Sequence, residues 1–195
     1  LSHCGLRCVF CFNPEISWEG QGATRRIEDL AGMMLGLEGR GCHNVNLVTP
    51  THYLPHILLA LDLAAGEGLR LPVVYNTCGW ERLEMLRELD GVVDIYLPDF
   101  KYGDPTAAER YSSGARSYPA VTRQAMVEMQ RQVGTARPGP DGLVRRGLMI
   151  RHLVMPNNAA ATGKVIDMIA ADLPKDTYLN PVSYTHLTLP TNREV

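Results

Sequence analysis

Short apolar runs alternate with helix-period segments along most of this chain, and that alternation restricts its fold more than any other feature. Ile27, Leu30, Ala31, Met34 and Leu37 recur at the spacing of one helix face, with Glu28 and Asp29 in a favourable first turn. Gly39 and Gly41 end that pattern. Val45–Val48 then reads as a strand stopped by Pro50, and residues 54–65 as a helix closed by Gly66 and Gly68. Residues 71–75 read as a strand, 81–89 as a helix and 92–97 as a strand. Asp104-Pro105 has the form of an N-cap followed by a first-turn proline, opening a short helix to about Tyr111. Ser117 is placed to cap a longer helix with Val121, Ala125, Met129 and Val133 as its apolar stripe and Gly134 as its stop. After the loop RPGPDG, residues 148–155 read as a strand, 162–171 as a helix, and Tyr178-Leu179 as the start of another strand.

A β–α unit repeated about five times calls for parallel strands with crossover helices. A closed eight-unit barrel needs about 250 residues, more than the 195 of this chain. The expected fold is therefore an α/β partial (β/α)6-type barrel, open and incomplete at both ends, with a doubly wound open sheet as the alternative. The chain opens at Leu1 rather than at a methionine, so it is expected to begin inside a longer protein. Its last stretch, SYTHLTLPTNREV, fits no expected element and resembles translated adapter sequence. The expected division is a barrel domain over residues 1–181 and a non-native tail over 182–195. The alternative is a genuine polar tail. A net charge of -2 gives no electrostatic reason to expect nucleic acid or an anionic membrane as partner. No apolar run is long enough to span a bilayer.

Three of the five cysteines are crowded into CGLRCVFC, as Cys4, Cys8 and Cys11. That crowding fits metal binding in a reducing cytoplasm better than a disulfide framework. Thiolates suit zinc, copper(I) and iron–sulfur clusters. A structural zinc site takes four ligands, and the fourth would have to come from His3, Cys42, His43 or Cys78. None of these forms the second C-x2-C pair of a zinc ribbon. A four-iron cluster held by three thiolates leaves one iron open to a small molecule. The short spacings let one loop wrap such a cube, with Gly5 easing the turn and Val9 and Phe10 shielding the cluster from water.

In parallel β/α folds, ligands bind beyond the C-terminal ends of the strands. Four strands aim polar groups there: Thr49 and Thr51 after the first, Asn76 and Cys78 after the second, Asp99 and Lys101 after the third, and Arg151, His152 and Asn157 on or after the fourth. Each has a plain structural explanation. Asp99 and Lys101 suit an exposed pair, the threonines suit a strand end, His152 suits a structural role, and Cys42 and Cys78 suit small buried hydrophobes.

The C-x3-C-x2-C spacing, with an aromatic before the last cysteine and a β/α series behind it, resembles the signature of the radical S-adenosylmethionine (SAM) superfamily. The resemblance implies a [4Fe-4S] cluster on Cys4, Cys8 and Cys11, with SAM on the open iron. It implies reductive cleavage of SAM to methionine and a 5′-deoxyadenosyl radical that abstracts hydrogen, fed by a flavodoxin- or ferredoxin-type electron donor. Phe10 would lie near the adenine, and Leu1-Ser2 would be the remnant of a first barrel strand. NLVTPTH, VYNTCG, DIYLPDFKY, EMQRQVG and RHLVMP, spread from residue 46 to 156, are similar to the branch of pyruvate formate-lyase activating enzyme. By that likeness Asp99 meets the ribose hydroxyls, Lys101 neutralises the SAM carboxylate, and Asn76 stands in a looser match. The superfamily's Gly-Gly-Glu element is absent; Asn46 to His52 fills its place, leaving Thr49 and Thr51 as candidates for the SAM amino group. The last barrel strand, which often adds a histidine or glutamine, is overwritten by the suspect tail. With no second cysteine cluster, auxiliary clusters are not expected. The implied function is a cytoplasmic radical SAM oxidoreductase whose partner is a glycyl-radical enzyme or another protein substrate. The alternatives are a radical SAM enzyme with a small-molecule or other modification target, and a zinc-stabilised binding module.

Overall fold

The computed structural model describes residues 1–183. Among them, helices α1 (Pro14–Ser17) and α2 (Ile27–Gly39) precede strand β1 (Val45–Val48). Then come α3 (Leu54–Gly66), β2 (Val73–Thr77), α4 (Leu83–Arg87) and β3 (Ile95–Pro98). Next are α5 (Pro105–Tyr111), α6 (Tyr118–Val133), β4 (Gly147–Val154), α7 (Thr162–Asp172) and β5 (Tyr178–Ser183). The strands form one sheet in the order β1-β2-β3-β4-β5, every neighbouring pair parallel. Strictly sequential order has no reversal point of the kind a doubly wound sheet requires. It is the order of a curling barrel-type sheet, and it decides between the two expected architectures.

Two apolar clusters hold the sheet. Met34 of α2 and Ile57, Ala60 and Ala64 of α3 close over Val45, Leu47 and Val73. Burying Ile57, 1% exposed, contributes roughly 1.5–3 kcal/mol. The larger cluster packs Ala125, Met126 and Met129 of α6 against Tyr96, Leu148 and Ile150. The buried face of α6 includes Met126 and Thr122 but leaves Val121 only half-buried, so it is turned slightly from the expected stripe.

Local signals fare unevenly. Asp104 caps α5 as its sequence predicts, accepting from the N–H groups of Thr106 at 2.9 Å and Ala107 at 3.3 Å. Ser117 stands at the N-cap of α6 but makes no capping bond; its hydroxyl accepts from Trp80 Nε1 at 3.3 Å. Helix α4 begins at Leu83 rather than at Glu81, because the Glu81 side chain is drawn into the interior. The run of 92–97 starts as a turn: Val92 N–H bonds back to Leu89 O, and β3 forms only from Ile95. Leu1 and Ser2 form no strand; Ser2 instead bonds Tyr53 Oη at 3.0 Å and, through its carbonyl, His52 Nε2 at 2.7 Å. Strand β5 continues through Val182 and Ser183, which pair with Leu153 and Val154. The first two residues of the stretch set apart as a tail thus belong to the sheet, and 184–195 lie outside the described residues.

Candidate functional site

The cysteine segment lies across the C-terminal ends of the strands and is fixed from the far side of the sequence. Val9 N–H donates to Tyr111 O at 2.9 Å, Ser112 Oγ donates to Cys8 Sγ at 3.0 Å, and Ser113 Oγ donates to Arg7 O at 3.2 Å. Within the segment Cys11 N–H closes a turn on Cys8 O, and Leu6 N–H donates to Cys4 Sγ at 3.4 Å. Gly5 is not what makes the turn: its φ is not positive and a Cβ there would meet nothing. Val9 points outward, 41% exposed, so of the two expected shielding residues only Phe10 faces inward. Phe10 packs edge-on to Tyr102 with centroids 6.3 Å apart, and Tyr102 in turn meets Tyr118 at 5.5 Å.

Beneath the segment is a cavity of about 480 Å³. Cys4, Cys8, Cys11 and Phe10 line it together with Thr49, Asn76, Cys78, Asp99, Lys101 and Arg151. Thr49 ends β1 with φ +51, a left-handed conformation that costs a β-branched residue of order 1–3 kcal/mol. Thr51, the neighbouring candidate, does not line the cavity; its hydroxyl donates to Glu81 Oε1 at 2.7 Å. Cys42 and His43 also lie outside the cavity wall.

Charge is concentrated at the ends of β3 and β4. Asp99 accepts from Lys101 Nζ at 2.5 Å and from Arg151 Nε, and Arg151 Nη2 reaches Asn76 Oδ1 at 3.3 Å. Burial pushes the Asp99 carboxyl up most strongly, yet Lys101 and Arg151 together hold it below its ordinary value. Burial works against the Lys101 ammonium, but Asp99 and Cys8 outweigh it and raise its pKa. Cys4 is lowered to about 6, first by the hydrogen bond from Cys78, then against burial by Leu6 N–H and the charges of Lys101 and His52. Cys78, half-buried and donating to Cys4, is pushed well up by that bond and by its shielding from water, and keeps its proton. Burial raises Cys8, partly offset by Lys101 and Ser112. The Cys78 thiol, the Leu6 N–H and the positive charge of Lys101 and His52 therefore favour thiolate at Cys4.

Arg151 reads from the sequence as a strand-end residue, but its pairing with Asp99 depends on the β3–β4 register, which sets the two level. Two other contributors, Tyr118 and Glu81, carry no functional signal in the sequence. Tyr118, fully buried, accepts Lys101 N–H at 2.9 Å and lies 2.7 and 2.8 Å from the carbonyl oxygens of Cys78 and Asp99, tying the ends of β2 and β3 together. Glu81, 1% exposed, gathers the hydroxyls of Thr51, Thr77 and Tyr75, and burial raises its carboxyl. No local pattern marks these roles. His152 has the structural role expected of it: its Nδ1 lies 2.6 Å from Phe100 O and its Nε2 2.9 Å from Thr162 Oγ1.

A parallel β/α sheet with a thiol-lined, charged cavity at its C-terminal edge defines a cofactor-binding α/β domain. The family model of the Radical SAM superfamily matches residues 1–128, and the chain belongs to that superfamily. The uncharacterized protein MJ0674 of Methanocaldococcus jannaschii is 30% identical over 180 residues, covering 87% of this chain and 48% of that protein. The chain thus spans about half the length of this curated relative. Among solved structures, SuiB of Streptococcus suis superposes with a TM-score of 0.66 at 14% identity, over 96% of this chain and 39% of SuiB. The structure of anSMEcpe with bound AdoMet superposes with a TM-score of 0.60 at 13% identity, over 93% of this chain and 49% of the other. These likenesses show a shared fold, the partial barrel.

The cofactors that the family implies are a [4Fe-4S] cluster and SAM. The cavity's donors fit the first: three thiols on one loop, beside a lysine and an arginine. Among the described residues no three His, Cys, Asp or Glu side chains gather as a single ion requires. A cluster asks for something different, one thiolate per iron, with the ligands standing apart. Family membership selects the cluster over the zinc-stabilised module. No helix among the described residues is long and apolar enough to cross a membrane.

Proposed function

We propose that this chain carries the cofactor site of a cytoplasmic radical SAM enzyme of the pyruvate formate-lyase activating-enzyme-like branch. The observation that carries the reading is the meeting of Cys4, Cys8 and Cys11 with Asp99, Lys101 and Arg151 around one cavity. When bound, the cluster supplies the electron that cleaves SAM to methionine and a 5′-deoxyadenosyl radical. Cys4, Cys8 and Cys11 would hold the cluster through their thiolates and would leave one position for SAM. Lys101, kept protonated by Asp99, supplies positive charge for the SAM carboxylate. Asp99, kept ionised, accepts from ribose hydroxyls. Thr49 and Asn76 offer polar contacts from the neighbouring strand ends, and Phe10 offers an apolar wall for the adenine. Thr51 serves from behind through Glu81 rather than by touching SAM.

The substrate in this reading is a glycine of a partner protein, with a flavodoxin- or ferredoxin-type protein as electron donor. The support is the set of motifs shared with the activating-enzyme branch, NLVTPTH to RHLVMP. A second reading, modification of another target, has its own support: SuiB, of the same fold, has been solved bound to precursor peptide SuiA.

Anaerobic reconstitution with iron and sulfide, followed by dithionite and SAM, tests the chemistry. The parent is expected to bind four irons and release 5′-deoxyadenosine; Cys8→Ala is expected to lose both. Product formation by Cys8→Ala at the parent's rate sinks the cluster assignment. A glycyl radical signal in electron paramagnetic resonance, on adding candidate partner proteins, separates the two substrate readings.

A further inference from the structure

The three-point attachment of the cysteine segment contains one bond whose chemistry exceeds fastening. The bonds at Val9 and Arg7 involve backbone groups of the segment. The third is a side-chain hydroxyl aimed at sulfur: Ser112 Oγ lies 3.0 Å from Cys8 Sγ across a separation of 104 residues. Ser112 is 1% exposed and Cys8 is 8% exposed, so water does not compete for this bond and the low local dielectric strengthens it. A serine hydroxyl has one proton and two lone pairs. With that proton on the sulfur, Ser112 Oγ is left to accept from Tyr102 Oη, 2.8 Å away and fully buried. The order is therefore Tyr102 O–H to Ser112 O–H to Cys8 sulfur, each donor fixed by the next.

We propose that Ser112 is a positioning residue that sets the reduction potential of the cluster held by Cys8, with Tyr102 fixing the direction of its proton. The inference rests on the cluster reading given above. A hydrogen bond to a cluster's thiolate sulfur draws negative charge toward the donor. The reduced cluster carries one more electron than the oxidised cluster, so the bond stabilises the reduced form more and raises the potential. The electron comes from the external reductant and stays on the cluster; no bond in the protein is made or broken.

The test is an electron-paramagnetic-resonance redox titration of the reconstituted cluster in the parent, Ser112→Ala and Tyr102→Phe, after iron and sulfide analysis of each. Ser112→Ala is expected to shift the midpoint to more negative potential by up to about 59 mV, a tenfold change in the one-electron equilibrium. Tyr102→Phe, which keeps the serine but frees its proton to turn, is expected to shift it the same way by less. A midpoint matching the parent's in every variant that retains its cluster overturns the proposal; a purely structural role for Ser112 gives that result, with lower cluster content alone. If Ser112→Ala does not retain a cluster, Tyr102→Phe decides. A parent without four irons defeats the underlying cluster reading instead, so the two failures are distinguishable.

Discussion

Replacing Asp99 by asparagine keeps its shape and removes its charge, and the structure fixes what that should cost. The Asp99 side chain is 14% exposed and that of Lys101 15%, whereas Arg151 is 36% exposed. Breaking a buried pair by removing one partner typically costs 3–5 kcal/mol, because the surviving charge is left unpaired out of water. An exposed pair is worth about 0–1 kcal/mol. Lys101 belongs to the first regime and Arg151 lies near the second, so Asp99→Asn should destabilise the fold by about 2–4 kcal/mol. Urea unfolding at pH 7, with the m-value unchanged between variant and parent, measures this directly. The pH dependence supplies an independent check. The Asp99 carboxyl sits below its ordinary value of 3.8 in the folded protein. Its contribution is thus fully present above the unfolded value and drains away as the pH falls through the folded one. The gap between parent and variant should be flat from neutrality to about pH 5 and close in more acid solution. A loss under about 1 kcal/mol, or a gap that persists in acid, refutes the argument that Asp99 is a buried ionic keystone.

Two further outcomes follow from geometry alone. Gly79 has φ +83, and a Cβ there would collide with the carbonyl oxygen of Asp99; Gly79→Ala is expected to cost roughly 2–4 kcal/mol, seen as a lower urea midpoint. His152 is held neutral, with burial lowering its pKa from 6.5. The protonation-linked stability is therefore complete above that value and falls as the pH drops toward the folded-state value. His152→Gln should cost about 1–3 kcal/mol at pH 7.5 and flatten the dependence of the melting temperature between pH 7 and 5; a slope equal to the parent's contradicts the buried neutral tautomer.

Much of the fold could be read in the sequence wherever one local rule governed. The i, i+3, i+4 stripe located α2, and Asp104-Pro105 located the start of α5 to the residue. The misreadings share a cause. Val92 and Val93 are apolar because they pack from the turn after α4 into the two apolar clusters, Val93 at 2% exposure, and an apolar run cannot distinguish a core turn from a strand. Glu81 resembles a first-turn helix acid until Thr51 and Thr77, brought in by the ends of β1 and β2, surround its carboxylate. Ser117 has the residue type of a cap, but the indole of Trp80 competes for its hydroxyl.

The site divides along the same line. Strand-end logic finds Asn76, Asp99, Lys101 and Arg151, because the C-terminal edge of a parallel sheet is defined by chain direction alone. Which of them stand level depends on register, and parallel strands joined through helices carry no turn that encodes it. Asp99 meets Arg151 because β3 and β4 are aligned there, a fact set by the whole crossover between them. That crossover is the one carrying two α-helices, α5 and α6, where each of the others among the described strands carries one. Its extra length has a structural use. The end of α5 supplies Tyr111, Ser112 and Ser113 to the cysteine segment, and the start of α6 supplies Tyr118 to the ends of β2 and β3. One connection therefore fixes both walls of the cavity, the thiol side and the charged side, relative to each other. The sequence displayed the two helices plainly; that their junction assembles the site follows only from contacts distant in the chain, those of α5 with the cysteine segment and those of Tyr118 with Cys78 and Asp99.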